Sequence, residues 1–324
     1  LALYQRRIIP KRRLLAKVIS VGNLTLGGSG KTPLVLYLSQ GLEQRGYNPA
    51  VLSRGYGRKG REPLLMEKTG ELNPQDAGDE PFLLAKYGIP VLVEKDRFHS
   101  GTMAQARGYS PLILDDGYQY IGLHRDVNIL IIDSSNPWGN GFLLPAGSLR
   151  EPLSEAKRAD IIIINRADQA GNLTSLKRKL RNIKGDIPLF ESLYLPHSLH
   201  WLGEDEEIPL TELRGRRVYA LSALGNPTSF ENALEGLGAV LVGKRRFLDH
   251  HFYSKGDVEE VRKRAKRKGA DWLVTTEKDE VKLTHLLPGN FPLLSLCMRL
   301  TIRKEEDFWQ AMDALLAGGS LRTT

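Results

Sequence analysis

The sequence predicts an α/β fold, a parallel sheet core flanked by helices, with a second, smaller α/β domain joined to it by a strand-like hinge. Three observations carry this. Short apolar runs rich in Val, Ile and Leu alternate with helical stretches through the first half, the βαβ rhythm of a layered sheet. The runs are near-continuously apolar, as strands buried on both faces require. The rhythm then breaks around Pro188 to Pro209 and restarts at Arg217, and 324 residues suit two domains at roughly 150 each.

The first strands expected, in order, are Lys17 to Val21, Pro49 to Ser53, Pro90 to Glu94, Pro111 to Asp115, Val127 to Asp133 and Asp160 to Asn165. After the first of them, Pro33 to Arg45 carries Leu34, Leu38 and Leu42 four apart, which places them on one helix face. Phe190 to Leu202 reads as a linking ribbon, followed by the acidic tip Gly203 to Glu207. The second α/β unit runs through Arg217 to Ser222, Ala239 to Val242, Trp272 to Thr276 and Pro292 to Leu300, and ends in the helix Glu305 to Leu316. The expected division is therefore a first domain over residues 1–189, a hinge over 190–209 and a C-terminal domain over 210–324.

Composition narrows the function classes. Hydrophobic residues make up 41% and charged residues 26%, which excludes a disordered or fibrous chain. The 46 basic against 38 acidic residues give +8, which points to an anionic partner. A single cysteine, Cys297, excludes a disulfide framework and any zinc site built on several thiolates, and fits a reducing cytosol. No apolar run approaches the ~20 residues of a spanning helix. The start of the chain, Leu1 to Arg13, combines Leu1, Leu3, Tyr4, Ile8 and Ile9 with Arg6, Arg7, Lys11, Arg12 and Arg13. It reads as an amphipathic segment lying on an anionic membrane surface. Because the first residue is Leu and not Met, anchoring by a preceding segment is the other expectation. The six basic residues of Arg262 to Lys268 read as a solvated helix face or a second contact with anionic lipid.

The strongest chemical signal is Val18 to Pro33, where an apolar strand feeds a glycine-rich loop, then Lys-Thr, then a helix. Thr25, Leu26, Gly27, Gly28, Ser29, Gly30, Lys31 and Thr32 form the candidate nucleotide-binding loop. Glycines let backbone N–H groups converge on phosphate oxygens, Lys31 reaches the β- and γ-phosphates, and Thr32 offers its hydroxyl to Mg²⁺. Pro33 sits in the first helical turn, where its missing N–H costs nothing. The strict pattern has Gly at the position of Thr25, so the loop is a variant. The core is thus of the P-loop NTPase type, which takes a nucleoside triphosphate with Mg²⁺.

A second strand ends in Asp115-Asp116-Gly117, at the carboxyl edge where such proteins hold magnesium. Gly78-Asp79-Glu80-Pro81 precedes a helical stretch: it is a helix cap on one reading, and on the other the carboxylate that accepts a hydroxyl proton. Two basic glycine loops follow strands, Ser53 to Arg61 (with Arg54, Tyr56, Arg58, Lys59) and Leu144 to Pro152 (with Arg150), and arginines there suit anionic ligands. His124-Arg125-Asp126 lacks the companion motifs of a protein kinase. Asn165-Arg166-Ala167-Asp168 approximates a guanine-reading motif and keeps a P-loop regulatory GTPase or ATPase as the alternative. A non-catalytic binder of nucleic acid or membrane would account for the charge but not for the carboxylates and loop, so no nucleic-acid partner is expected.

Taken together, these residues resemble the tetraacyldisaccharide 4′-kinase family, the lipid A 4′-kinases of Gram-negative bacteria, over nearly the full chain. The resemblance rests on Val21 to Pro33, Ser53 to Tyr56, Ala77 to Pro81, Leu114 to Gln119, Leu123 to Asp126, Leu144 to Pro152, Gly225 to Pro227, Asp249-His250-His251 and Thr275 to Asp279. It implies ATP-dependent phosphorylation of the 4′-hydroxyl of a lipid A disaccharide precursor, giving lipid IVA, at the cytoplasmic face of the inner membrane. No obligate protein partner is implied. By position it makes Asp79 the general base with His250 in support, and Lys31 a catalytic cation. Thr32, Glu80, Asp115 and Asp116 stand near the metal, and Arg54, Tyr56, Arg97 and Arg150 are the candidate substrate contacts. Tyr120 stands where the family usually has His, and the family's longer apolar N-terminal helix is here reduced to Leu1 to Leu15.

Overall fold

The computed structural model describes residues 10–56, 58, 60, 62–67, 74–202, 206–249, 251–286 and 292–318. The chain forms two units, Leu1–Tyr194 with Leu300–Thr324, and Leu195–Arg299.

In the first unit β1 (Val18–Gly22) leads into α1 (Lys31–Gln44), then β2 (Ala50–Ser53), β3 (Leu64–Met66), α2 (Pro74–Ala77), α3 (Asp79–Lys86), β4 (Val91–Val93), α4 (Arg97–Ala106), β5 (Leu112–Leu114), β6 (Val127–Asp133), β7 (Ile161–Asn165), α5 (Leu173–Lys184) and β8 (Leu189–Trp201). The strand order is β3-β4-β2-β5-β1-β6-β7-β8, and every pairing is parallel except β3 with β4. Ile19 of β1 lies between Ile113 of β5 and Val127 of β6, so the most apolar runs take the centre. One core joins Leu14, Val18, Leu52, Leu92, Leu112 and Leu114; another joins Tyr118, Leu130, Ile132, Ile162, Ile164 and Leu176 of α5. Covering on both faces is what strips these strands of polar alternation.

The second unit adds β9 (Glu207–Ile208), β10 (Arg217–Ser222), α6 (Pro227–Gly236), β11 (Val240–Arg246), α7 (Lys255–Arg267), β12 (Trp272–Thr276), α8 (Glu277–Leu283) and β13 (Leu293–Ile302). The strands β11-β10-β12-β13 are parallel, and β9 pairs antiparallel with β8. Val218 and Ala220 pack with Phe230 and Leu234 of α6, while the alternate residues Tyr219 and Leu221 pack with Val258 and Val261 of α7. Helix starts follow local chemistry: Asn226 caps α6 ahead of Pro227, and Ser254 with Asp257 forms a capping box on α7.

The division differs from the expected boundaries. The ribbon expected over 190–209 is mostly one long strand, β8, and the chain passes between units at Tyr194/Leu195 and returns at Arg299/Leu300. Residues 300–324 therefore belong to the first unit, not to a C-terminal domain. The physical reason is α9 (Glu305–Leu316), whose Phe308, Trp309 and Met312 are buried. Trp309 stacks on Tyr37 of α1 at 5.7 Å and donates its Nε1–H to the Tyr37 hydroxyl at 3.1 Å, and that hydroxyl donates to Glu305 at 2.7 Å. Leu64–Met66 adds an antiparallel edge strand too short for any periodicity to announce.

Candidate active site

The carboxyl ends of β1, β5 and β2 lie side by side, the edge of a parallel sheet where ligands bind. From β1 the loop reaches α1 through Gly30, which caps the helix in the left-handed region at φ 89° and leaves its first turn without a side-chain cap. A side chain there would also collide with the Asn165 amide, so both conformation and space demand glycine. The uncapped N–H groups and the positive end of the helix dipole suit phosphate oxygens. The loop is strapped from outside: Leu26 N–H donates to the Ser148 carbonyl at 2.7 Å, and Arg150 N–H donates to the Leu24 carbonyl at 2.7 Å.

Lys31 is held at the mouth of the loop. Its Nζ donates to Asn23 Oδ1 at 3.2 Å and lies 3.5 Å from Asp116 Oδ1. Asp116, in the left-handed region at φ 49°, also accepts from Arg150 Nη1 at 2.9 and 2.8 Å. Burial pushes the Asp116 carboxyl upward, but Lys31 and Arg150 outweigh it and hold the group below the usual carboxylate range. Asp115 is the opposite case. Burial, reinforced by the charges of Glu80 and Asp116, pushes its carboxyl up to about 7 against Lys31 and Arg97. Its Oδ2 accepts from Ser53 Oγ at 3.4 Å, and its buried Oδ1 has no hydrogen-bond partner among the described residues.

Asp79 opens α3 and is buried, with 6% of its surface exposed. The turn before it is tight: Gly78 has φ 95°, and a Cβ there would stand 3.1 Å from the Tyr56 carbonyl oxygen. The loop after β2, with Arg54 and Tyr56, thus touches the turn that presents Asp79. Tyr56 is 75% exposed and Arg54 is exposed, so both face the rim. Arg97 is buried instead, donating to the Asp115 carbonyl at 3.5 Å and lying over the Tyr120 ring at 5.1 Å. Tyr120, in the position of the family His, donates to Asp96 Oδ1 at 3.1 Å. The unit thus brings together Lys31, Thr32, Asp79, Glu80, Arg97, Asp115, Asp116 and Arg150 at one sheet edge.

Other expectations fare differently. His250, Lys59, Arg61 and Leu1 to Ile9 lie outside the described residues. His251 is a packing residue, stacked on Phe247 at 4.4 Å and paired with Asp257 at 3.3 Å. Thr275 to Asp279 is a helix start, with Thr276 Oγ1 accepting the Asp279 N–H at 3.2 Å. Arg12 is committed to Asp96 at 2.8 Å. Asn165 does not present a free amide to a base: it donates to the Ser29 carbonyl at 3.0 Å and accepts from Ser192 Oγ at 3.0 Å. Arg166 pairs with Asp133 and donates to the Gly28 carbonyl at 3.3 Å. Asn165, Arg166 and Asn23 are supports of the phosphate loop, a role that sequence reasoning does not assign; the signal for it was their position at the carboxyl ends of β7 and β1.

Comparison with known proteins shows the family. A family model described as tetraacyldisaccharide-1-P 4′-kinase, LpxK, matches residues 1–317. The tetraacyldisaccharide 4′-kinase of Syntrophus aciditrophicus is 41% identical over 321 residues, covering 94% of this chain and 85% of that protein. The enzyme of the same name from Anaeromyxobacter sp. strain K is 43% identical over 289 residues, covering 87% and 76%. The crystal structure of LpxK from Aquifex aeolicus in complex with ATP matches with a TM-score of 0.78 at 32% identity, covering 97% of this chain and 93% of that one. The GTPase alternative is not favoured. A P-loop edge with these carboxylates, matched along its length by kinases of one kind, places the chain in the tetraacyldisaccharide-1-phosphate 4′-kinase family.

Proposed function

We propose that the chain transfers the γ-phosphoryl group of ATP to the 4′-hydroxyl of a tetraacyldisaccharide 1-phosphate, giving lipid IVA. The observation that carries this is the pairing of an open, uncapped phosphate loop with a lysine already held at its mouth by Asn23 and Asp116. The relatives' names supply the acceptor, and the ATP complex of LpxK from Aquifex aeolicus supports the donor.

In this reading the loop N–H groups and Lys31 hold the phosphates and take up charge as the bond to the leaving oxygen lengthens. Asp79 accepts the proton of the 4′-hydroxyl while the new O–P bond forms, and ADP leaves with the electrons of the broken bond. His250 supports that proton transfer, a role that rests on the Asp249-His250-His251 motif. Arg54 and Tyr56 contact the acceptor at the rim, and the buried Arg97 and the half-buried Arg150 orient the two aspartates.

The residues fit Mg²⁺. Asp115 offers a buried oxygen without a partner, whereas both Asp116 oxygens are bonded to Arg150. Among the described residues no group of three or more His, Cys, Asp or Glu could hold a metal, which suits an ion that takes one or two carboxylates plus phosphate and water oxygens. Thr32 and Asp115 would hold it, with Glu80 and Asp116 close by. Bound there, it supplies neutralisation of the β- and γ-phosphate oxygens. The enzyme works at the cytoplasmic face of the inner membrane, where ATP and a lipid acceptor meet. Among the described residues no helix is long and apolar enough to cross a membrane, so contact there is peripheral or through residues outside that set.

The test is transfer from labelled ATP to an acylated disaccharide, with Asp79→Asn beside the wild type. Turnover should fall on the order of 10²- to 10⁴-fold while ATP affinity changes little. Equal loss of both would make Asp79 a structural or metal residue.

A further inference from the structure

Between Asp133 and Arg150 lie sixteen residues without a charge, in a chain whose residues are 26% charged. Six in succession, Gly141 to Ala146, are exposed. Phe142 keeps 64% of its surface open, Leu143 44% and Leu144 47%, and Leu26 of the phosphate loop keeps 50%. Exposed apolar residues are ordinary when scattered singly; three adjacent large ones beside a ligand loop are not.

The exposure is built, not loose. Phe142 N–H donates to Asn140 Oδ1 at 3.3 Å, and Asn140 Nδ2 donates to the Ala146 carbonyl at 3.0 Å. Gly147 N–H reaches the Leu143 carbonyl at 3.0 Å, and Leu144 N–H the Leu149 carbonyl at 2.9 Å. With these backbone groups satisfied inside the loop, it can enter an apolar medium without carrying them in unpaired. Its base is bonded to the phosphate loop through Leu26 and Ser148, and through Arg150 and Leu24, so the two loops form one body.

We infer that Phe142, Leu143 and Leu144, with Leu26, form a wedge that enters the acyl region of the bilayer holding the acceptor. The inference rests on the kinase reading above. An acceptor with four acyl chains keeps them in the bilayer and its hydroxyl at headgroup level, so the phosphate loop must descend to that surface. The loop bonded to it then meets hydrocarbon, and its sixteen-residue uncharged stretch brings no ionic group to desolvate.

The single native cysteine, Cys297, is buried, so Leu143→Cys can be labelled selectively with a nitrobenzoxadiazole dye in the full chain. On vesicles of phosphatidylethanolamine and phosphatidylglycerol the dye should brighten severalfold, keep its signal at high salt, and be quenched by acyl-chain doxyl groups. A dye at Arg107→Cys, on an exposed turn after α4, should stay silent. The triple variant Phe142→Ser, Leu143→Ser, Leu144→Ser should partition onto vesicles about tenfold less. It should still phosphorylate a detergent-dispersed acceptor at the wild-type rate. A silent dye at position 143, or a triple variant that partitions like the wild type, would overturn the wedge. A wild-type chain that phosphorylates no acylated disaccharide, while the dye on Leu143→Cys enters the bilayer, would overturn the kinase reading and leave the wedge standing.

Discussion

Lys31 is held by one amide oxygen at 3.2 Å and one carboxylate oxygen at 3.5 Å. That preorganisation matters because a charge already aimed at the phosphates costs no reorganisation during transfer. Lys31→Ala should therefore lower turnover on the order of 10²- to 10³-fold or more, with the fold intact by circular dichroism. Near wild-type turnover in that variant would remove the nucleotide assignment. The neighbouring aspartates divide the labour by environment. Asp116 is kept ionised by Lys31 and Arg150 despite burial, while Asp115, deeper and beside Glu80, is driven toward neutrality. Two adjacent carboxyls in one loop thus differ because Asp116 is bonded directly to Arg150, whereas full burial and the charges of Glu80 and Asp116 outweigh Lys31 and Arg97 at Asp115.

Elements carry the next level. Helix α5 is tied to the strand beside it through Glu191 of β8, which accepts from Lys177 and, at 2.6 Å, from Arg303. The hydrogen bond from Lys177 comes first; burial opposes it, Arg303 adds to it, and together they hold the Glu191 carboxyl below its ordinary range. A carboxyl depressed in the folded state lends stability above its unfolded pKa and loses it as pH falls through the folded one. Glu191→Gln should therefore cost about 1 kcal/mol at neutral pH, as for a partly exposed ion pair, and almost nothing in strong acid. Denaturant titrations at the two pH values check this, and an equal cost at both would rule out the charge as its source. The expected strands of the first unit match β1, β2 and β4 to β7 within a residue or two at each end, because runs buried on both faces cannot alternate. Strand β3 escaped notice for the same physical reason in reverse, since three residues at a sheet edge contain no period.

At the scale of the whole molecule, the second unit is an insertion: the chain leaves the first unit at Tyr194 and re-enters it at Leu300. Helix α9 then closes on α1, the helix that carries the phosphate loop, through Trp309, Tyr37 and Glu305. A chain ending at Arg299 should therefore lose the ATP-dependent rise in melting temperature of the full chain, although every residue of the nucleotide loop is still present. A truncated chain that keeps the full shift would show that α9 does not support the site. This dependence was not legible along the sequence, where the last helix reads as the end of a second domain. What the sequence determined by itself is what is encoded within one turn or one strand: the central strands of the first unit, the helices at Pro33 to Arg45 and Glu305 to Leu316, the loop from Thr25 to Thr32, and the acid pairs at 79–80 and 115–116. What only the tertiary structure decided is which distant residues complete them. Asn165 on the Ser29 carbonyl, Arg150 on Asp116 and Trp309 on Tyr37 are separated by up to 272 positions. Backbone propensity and apolar periodicity act over a few residues, whereas these partners are chosen by strand order, and strand order is settled only when the sheet assembles.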